Sequence, residues 1–176
     1  MTIRTTTVEY PLGTFHLAVR GEGRDERVVA VSFDVDHFER LAERVRARFP
    51  DEPWEEGGSA AADALRRYVD GDLAALDDVA VDTAGTPFQE RVWAALRSIP
   101  VGSTWSYADL AAAVGSPGAV RAVGSANGAN PVSIVVPCHR VVRSDGSLGG
   151  YGGGLDRKSW LLEHEGVIGR LPLDRS

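Results

Sequence analysis

Residues 3 to 10 and 15 to 20 alternate apolar and polar side chains closely enough to predict two strands, with Pro11-Leu12-Gly13 as the turn between them. Gly21-Glu22-Gly23-Arg24-Asp25 marks a second turn and Val28 to Phe33 a third strand, so an antiparallel meander is expected. The period then changes: Phe38, Leu41, Val45 and Phe49 fall on one face of a helix that Pro50 ends. After an acidic loop from Asp51 to Gly58, a second helix is predicted from Ser59 to Val69, stopped by Asp70-Gly71. Asp72 to Gly85 follows neither period and reads as a link, so residues 1–82 are expected to form one domain and residues 83–176 another.

The second half opens on Thr86-Pro87-Phe88-Gln89, where Thr86 caps a helix, Pro87 suits its first turn and Gln89 completes a capping box. Phe88, Val92, Ala95, Leu96 and Ile99 form its apolar stripe; Trp93 suits the core or a pocket wall. Ser106 with Asp109 caps a helix from Tyr107 to Val114, and Gly115-Ser116-Pro117 turns the chain into a third, from Gly118 to Ala129. Two short helices joined by a tight turn and followed by strands outline a winged helix-turn-helix, giving an α+β protein with a small antiparallel sheet and its helices first. The third helix has almost no side-chain bulk, although each interior glycine costs about 1 kcal/mol relative to alanine. Close approach to a nucleic-acid groove, with Arg121 as the one long probe, explains that smallness, and so does close packing of two helices. Beyond it, Ile134 to Val136 reads as a short buried strand ended by Pro137, which puts Cys138 at a strand exit. Asp145-Gly146 suggests a hairpin, residues 148–154 are rich in glycine, and Asp156 is expected to cap a last helix from Arg157 to Glu165.

Composition narrows the chemistry. Cys138 is the one cysteine among 176 residues, so no internal disulfide and no multi-thiolate zinc site is open to this chain. A lone cysteine is usually an inert core residue. Here a histidine and an arginine follow it directly, and both favour the nucleophilic thiolate. The net charge of −6 hides an asymmetry: residues 1–82 carry 10 Arg against 18 Asp or Glu, residues 83–176 carry 9 Arg or Lys against 7. Between Asp109 and Asp145 no carboxylate occurs, while Arg121, Arg140 and Arg143 lie inside that interval, so a local electropositive face around Cys138 is expected. The N-terminal residues contain no apolar targeting core and no stretch is long enough to cross a bilayer, so a cytoplasmic protein is expected.

Gly85-Thr86-Pro87-Phe88-Gln89, Val92-Trp93, Ser106-Tyr107, Arg121-Ala122-Val123-Gly124, Asn130-Pro131, Pro137-Cys138-His139-Arg140-Val141-Val142 and His164-Glu165-Gly166, taken in order, resemble the O6-alkylguanine-DNA alkyltransferase family. The resemblance runs from Gly85 to Gly166; before it only the strand-strand-strand-helix layout and the Pro11-Leu12-Gly13 turn are similar. It implies that Cys138 takes the alkyl group from O6 of a guanine flipped out of duplex DNA and remains alkylated, one transfer per molecule. In that scheme His139 accepts the thiol proton through a water, Glu165 orients His139, and Tyr107 assists the departing guanine. Arg121 fills the gap in the base stack, with Ala119, Gly124, Asn130 and Arg140 at the DNA surface and Asn130 also as a hinge. Trp93, Asn127, Val141, Leu148, Tyr151, Gly152 and Gly153 line the base pocket. The implied partner is double-stranded DNA containing O6-alkylguanine, with O4-alkylthymine as an open second substrate. A monomer without metal or cofactor is expected; the zinc that some members hold through N-terminal cysteines has no such ligands here. The rival readings are a non-catalytic damage-binding relative, in which the cysteine is replaced, and, more remotely, a cysteine peptidase. The presence of Cys138 favours transfer.

Overall fold

A computed structural model describes residues 1–167. Its contacts divide the chain into two units, Met1–Thr83 with Pro131–Val135, and Ala84–Asn130 with the chain from Val136 onward. The second unit thus gives five residues back to the first, immediately ahead of Cys138.

In the first unit β1 (Ile3–Tyr10), β2 (Gly13–Arg20) and β3 (Arg27–Ser32) form the expected antiparallel meander, followed by α1 (Val35–Arg48), β4 (Trp54–Glu56) and α2 (Ala60–Val69). The sheet order is β3-β2-β1-β4, and β4 joins β1 in parallel with Ile3 opposite Trp54. Phe38, Leu41, Ala42 and Val45 of α1 cover Ile3, Ala18, Val29 and Ala30 of the sheet, the face that their helical spacing selects. Asp34 and Ser59 start the two helices by accepting from the backbone N–H of His37 and Ala62.

The returning segment runs along β3, where Val31 N–H donates to the Pro131 carbonyl at 3.0 Å and Val31 bridges to Val132 in parallel. The predicted strand from Ile134 to Val136 does not form. Ile134 has φ +75°, a left-handed conformation that costs an L-residue about 1–2 kcal/mol, and its buried side chain holds it there.

The second unit contains α3 (Pro87–Leu96), β5 (Trp105–Ser106), α4 (Tyr107–Ala113), α5 (Val120–Gly128), β6 (Val141–Val142) and α6 (Leu155–His164). Both predicted capping boxes are present, Thr86 with Gln89 and Ser106 with Asp109. Two expectations are corrected. Gly154, at φ +95°, is the residue before α6, which leaves Asp156 inside the first turn instead of capping it. Asp145-Gly146 does turn the chain, with Arg143 N–H donating to the Ser147 carbonyl at 2.9 Å, but β6 pairs in parallel with β5 and no hairpin partner follows among the described residues. Among the described residues no helix is long and apolar enough to cross a membrane.

The exposed side of α5 decides between the two explanations of its small residues. Arg121, Ala122, Ser125 and Gly128 are exposed, and a Cβ added at Gly118 or Gly128 would meet nothing within 4 Å. Packing of this unit does not demand those glycines, so an external surface remains as the reason for them.

Candidate functional site

Pro137 ends the turn that follows Ile134, and Cys138–Arg140 form a single 3-10 turn. Cys138 N–H donates to the Val136 carbonyl at 2.9 Å and Arg140 N–H to the Pro137 carbonyl at 3.0 Å. The amide of Asn130 closes the loop by donating to the Val136 carbonyl at 2.8 Å. A tight turn sends successive side chains to different surroundings, and adjacent residues here do separate work.

Cys138 is 6% exposed. Burial pushes its thiol up, while the polar groups of Asn130 and Tyr151 and the nearby ammonium of Lys158 pull it back without reversing the direction. The expectation that His139 and Arg140 favour the thiolate is therefore corrected: both are turned to a different partner, and the stabilising cation is Lys158. A buried thiol of this kind rests protonated, so a base must remove its proton during reaction.

A buried histidine lies on the other side of the turn. His139 Nε2 lies 2.9 and 3.0 Å from the two carboxylate oxygens of Glu165, all of it buried. A carboxylate only accepts, so Nε2 carries a hydrogen; in the neutral ring Nδ1 then carries the lone pair, and among the described residues it has no protein partner. Glu165 is also gripped by Arg140, Nε to Oε1 at 2.8 Å and Nη2 to Oε2 at 3.0 Å. Burial alone would raise the Glu165 carboxyl, but the charges and hydrogen bonds of His139 and Arg140 outweigh it and hold the group well below the usual carboxylate range. Arg140 donates its remaining Nη1 to the Ile99 carbonyl at 2.7 Å and is buried. Its assignment to the DNA surface is thus overturned, because its guanidinium is already committed to Glu165 and Ile99 inside the unit.

Tyr107 opens α4 and is partly exposed. Burial raises its phenol, a negative charge on Cys138 would raise it further, and Arg143 opposes the rise. Asn127 on α5 donates weakly to the Cys138 carbonyl at 3.4 Å. Val141 and Leu148 are buried beside the turn. Trp93 is spent on packing: its indole N–H donates to the Ala126 carbonyl at 2.8 Å, fastening α3 to α5, and a Cβ on Gly85 would lie 2.3 Å from its ring. Gly152 is exposed, Gly153 accepts from Arg157 at 3.1 Å, and Ala119 and Gly124 lie on α5 with Arg121.

Lys158 is the residue that reading the sequence did not assign. Its ammonium is 0% exposed and donates to the carbonyls of Val141 at 2.7 Å, Leu148, and Gly150 at 3.3 Å. Desolvation lowers its pKa to about 8, against the opposing pull of Cys138. The signal was present, since Lys158, Leu161 and Leu162 share the buried face of α6 at helical spacing.

Fold and site together define a protein with one buried thiol next in the chain to a buried His–Glu pair, beside a helix-turn-helix with a bare outer face. The chain belongs to the methylated-DNA–protein-cysteine methyltransferase family. Residues 87–167 match the family described as 6-O-methylguanine DNA methyltransferase, DNA binding domain. The methylated-DNA–protein-cysteine methyltransferase of Shigella flexneri is 47% identical over 151 residues, 86% of this chain and 83% of that protein. The crystal structure of the Mycobacterium tuberculosis O6-methylguanine methyltransferase is similar at a TM-score of 0.72 and 41% identity, covering 98% of this chain and 96% of that one. That of Mycobacterium tuberculosis OGT in complex with DNA is similar at 0.70 and 38%, covering 99% and 97%. The α+β expectation and the family resemblance both hold.

Proposed function

We propose that this chain repairs duplex DNA directly by taking the alkyl group from O6 of an alkylated guanine, turned out of the helix, onto Sγ of Cys138. The S–C bond forms as the C–O6 bond breaks. The thiol proton passes through a water to Nδ1 of His139, and Tyr107 donates toward the guanine as it leaves. The products are guanine and an S-alkylcysteine. Nothing in the chain offers a way back to the thiol, because there is no second cysteine, so each molecule reacts once.

The observation that carries this reading is the division of labour on one turn. The thiol faces Asn130 and Tyr151, while His139 presents an accepting nitrogen and keeps its hydrogen on Glu165. Glu165 stays ionised and stabilises the imidazolium that forms, the role of the third group in nucleophile–base–orienter sites.

Ionisation of the thiol is a minor part of the acceleration. An ordinary cysteine is already about 3% thiolate at pH 7, so complete ionisation gains only ~30-fold, or about 2 kcal/mol. Holding the alkyl carbon in line in a dry pocket and assisting the leaving base supply the remainder. Extrusion costs a few kcal/mol of stacking and pairing, which Arg121, exposed on α5, offsets by entering the stack.

Duplex affinity, measured by fluorescence anisotropy, separates the roles. Cys138→Ala keeps its affinity for methylated duplex and transfers nothing, whereas Arg121→Ala loses affinity and transfer together. Equal loss of affinity in both variants would contradict the assignment, as would residual transfer by Cys138→Ala.

A further inference from the structure

The electropositive face around the thiol is smaller than the charge pattern suggested. Of the three arginines in the interval without carboxylates, Arg140 is buried, which leaves Arg121 and Arg143 open to solvent. Arg121 lies on α5. Arg143 follows β6 on the closed turn made by its own N–H to the Ser147 carbonyl and by Gly146 N–H to the Arg143 carbonyl, both 2.9 Å. The acid on that turn feels its charge but makes no ion pair with it. Asp145 Oδ1 is occupied by the N–H of Ser147 at 2.9 Å and its hydroxyl at 2.7 Å. Among the described residues no ion pair within 4.0 Å includes Arg143.

Arg143 also borders the chemistry. A Cβ built on Gly149 would sit 3.4 Å from Arg143 Cγ and 3.4 Å from the ring edge and hydroxyl of Tyr107, so the arginine stem and the phenol flank the same glycine. Gly149 has φ +70°, which only glycine adopts at little cost, and its missing side chain keeps the two close. The positive charge is felt at both neighbours, opposing the rise at the phenol and adding to the fall at Lys158.

A nucleotide whose O6 substituent reaches Cys138 beneath Tyr107 brings its own phosphates out of the duplex with it. Those anions must be held beside Tyr107, and a planar guanidinium on a rigid turn suits a phosphate oxygen pair. We propose that Arg143 binds the phosphodiester of the extruded nucleotide, acting as the anchor that fixes the base over Cys138. The proposal rests on the transfer reaction given above. Arg121 then serves the gap in the stack, and Arg143 serves the nucleotide that left it.

The test uses Arg143→Gln and Arg143→Lys in the full chain with two substrates, a methylated duplex and the free base O6-benzylguanine, which has no phosphate. Arg143→Gln should weaken duplex binding about 5- to 20-fold and make the log–log salt dependence shallower by about 0.9, the value of one phosphate contact. Arg143→Lys should retain the wild-type slope. Alkylation of Cys138 by the free base should change no more than about twofold, because the contact is absent there. An unchanged salt slope in Arg143→Gln would overturn the proposal, and so would free-base transfer falling as far as duplex transfer. If the wild-type protein takes alkyl groups from neither substrate, the transfer reaction itself is wrong, a result distinct from either of these.

Discussion

Arg140 and Glu165 meet side on, with two parallel hydrogen bonds of 2.8 and 3.0 Å, and the same carboxylate holds His139 at 2.9 Å. One acid therefore orients the base of the reaction and neutralises a buried cation. Removing one partner of such a pair strands the other in a low-dielectric interior.

Arg140→Met should accordingly lower stability by about 3–5 kcal/mol in urea unfolding. The fraction that remains folded should bind duplex DNA with the wild-type salt slope, because Arg140 faces Glu165 and Ile99 and not solvent. A stable Arg140→Met variant with a shallower salt slope would return this residue to the DNA surface.

The carboxylate also sets a pH dependence. Glu165 titrates lower in the folded protein than its unfolded value of about 4.3, so its contribution to stability is present above that value and lost as pH falls through the folded one. Wild type and Glu165→Gln should therefore differ most in unfolding free energy near pH 7 and converge as the medium is taken well below pH 4. A gap that stays constant down to pH 3 would show that Glu165 acts through shape alone.

Lys158 gives a slope of the same sign in a higher pH window. Its folded pKa of about 8 lies below the unfolded value of about 10.4, so the native state releases its proton first and this group's contribution to stability rises with pH between the two. The same proton is needed to hold the carbonyls of Val141, Leu148 and Gly150. Lys158→Met should transfer about tenfold more slowly than wild type at pH 7, the order of one charge-assisted hydrogen bond. That advantage of the wild type should shrink as pH passes 8, in single-turnover rates from pH 6 to 9. A ratio independent of pH would leave the lysine a packing role only.

Gly124 separates stability from recognition. It lies within α5, and a Cβ there would be 3.8 Å from the Tyr107 ring, an ordinary contact. Gly124→Ala should raise stability by up to about 1 kcal/mol through helix propensity. Duplex binding should fall if the added methyl stands on the face proposed to meet DNA. Improved stability with unchanged affinity would remove α5 from the contact surface.

What was legible in the sequence was local. Thr86 with Gln89 and Ser106 with Asp109 formed the caps that their three-residue spacing predicts, and Phe38, Leu41 and Val45 face the sheet that their period selects. What was not legible depended on partners distant in the chain. β4 is three residues long, too short for any period, and exists because β1 offers an edge. Ile134 looks like a strand residue by its β-branched side chain and is instead held at a positive φ. Counting charges made Arg140 a DNA contact and left Lys158 as background, since a count does not report burial; Glu165, 25 residues from Arg140, reverses the first reading. The motif residues around Cys138 were legible from the family resemblance, and the direction in which each side chain turns was not.

The central claim is that Cys138 receives the alkyl group once. Intact mass of the protein, measured before and after incubation with a several-fold excess of duplex containing O6-methylguanine, tests it most directly, followed by mapping of the modified peptide. The account predicts one added methyl mass per chain, located on the peptide that contains Cys138, and no further guanine released after one equivalent. An unmodified Cys138 after the lesion has been repaired, or repair continuing beyond one equivalent, would contradict it.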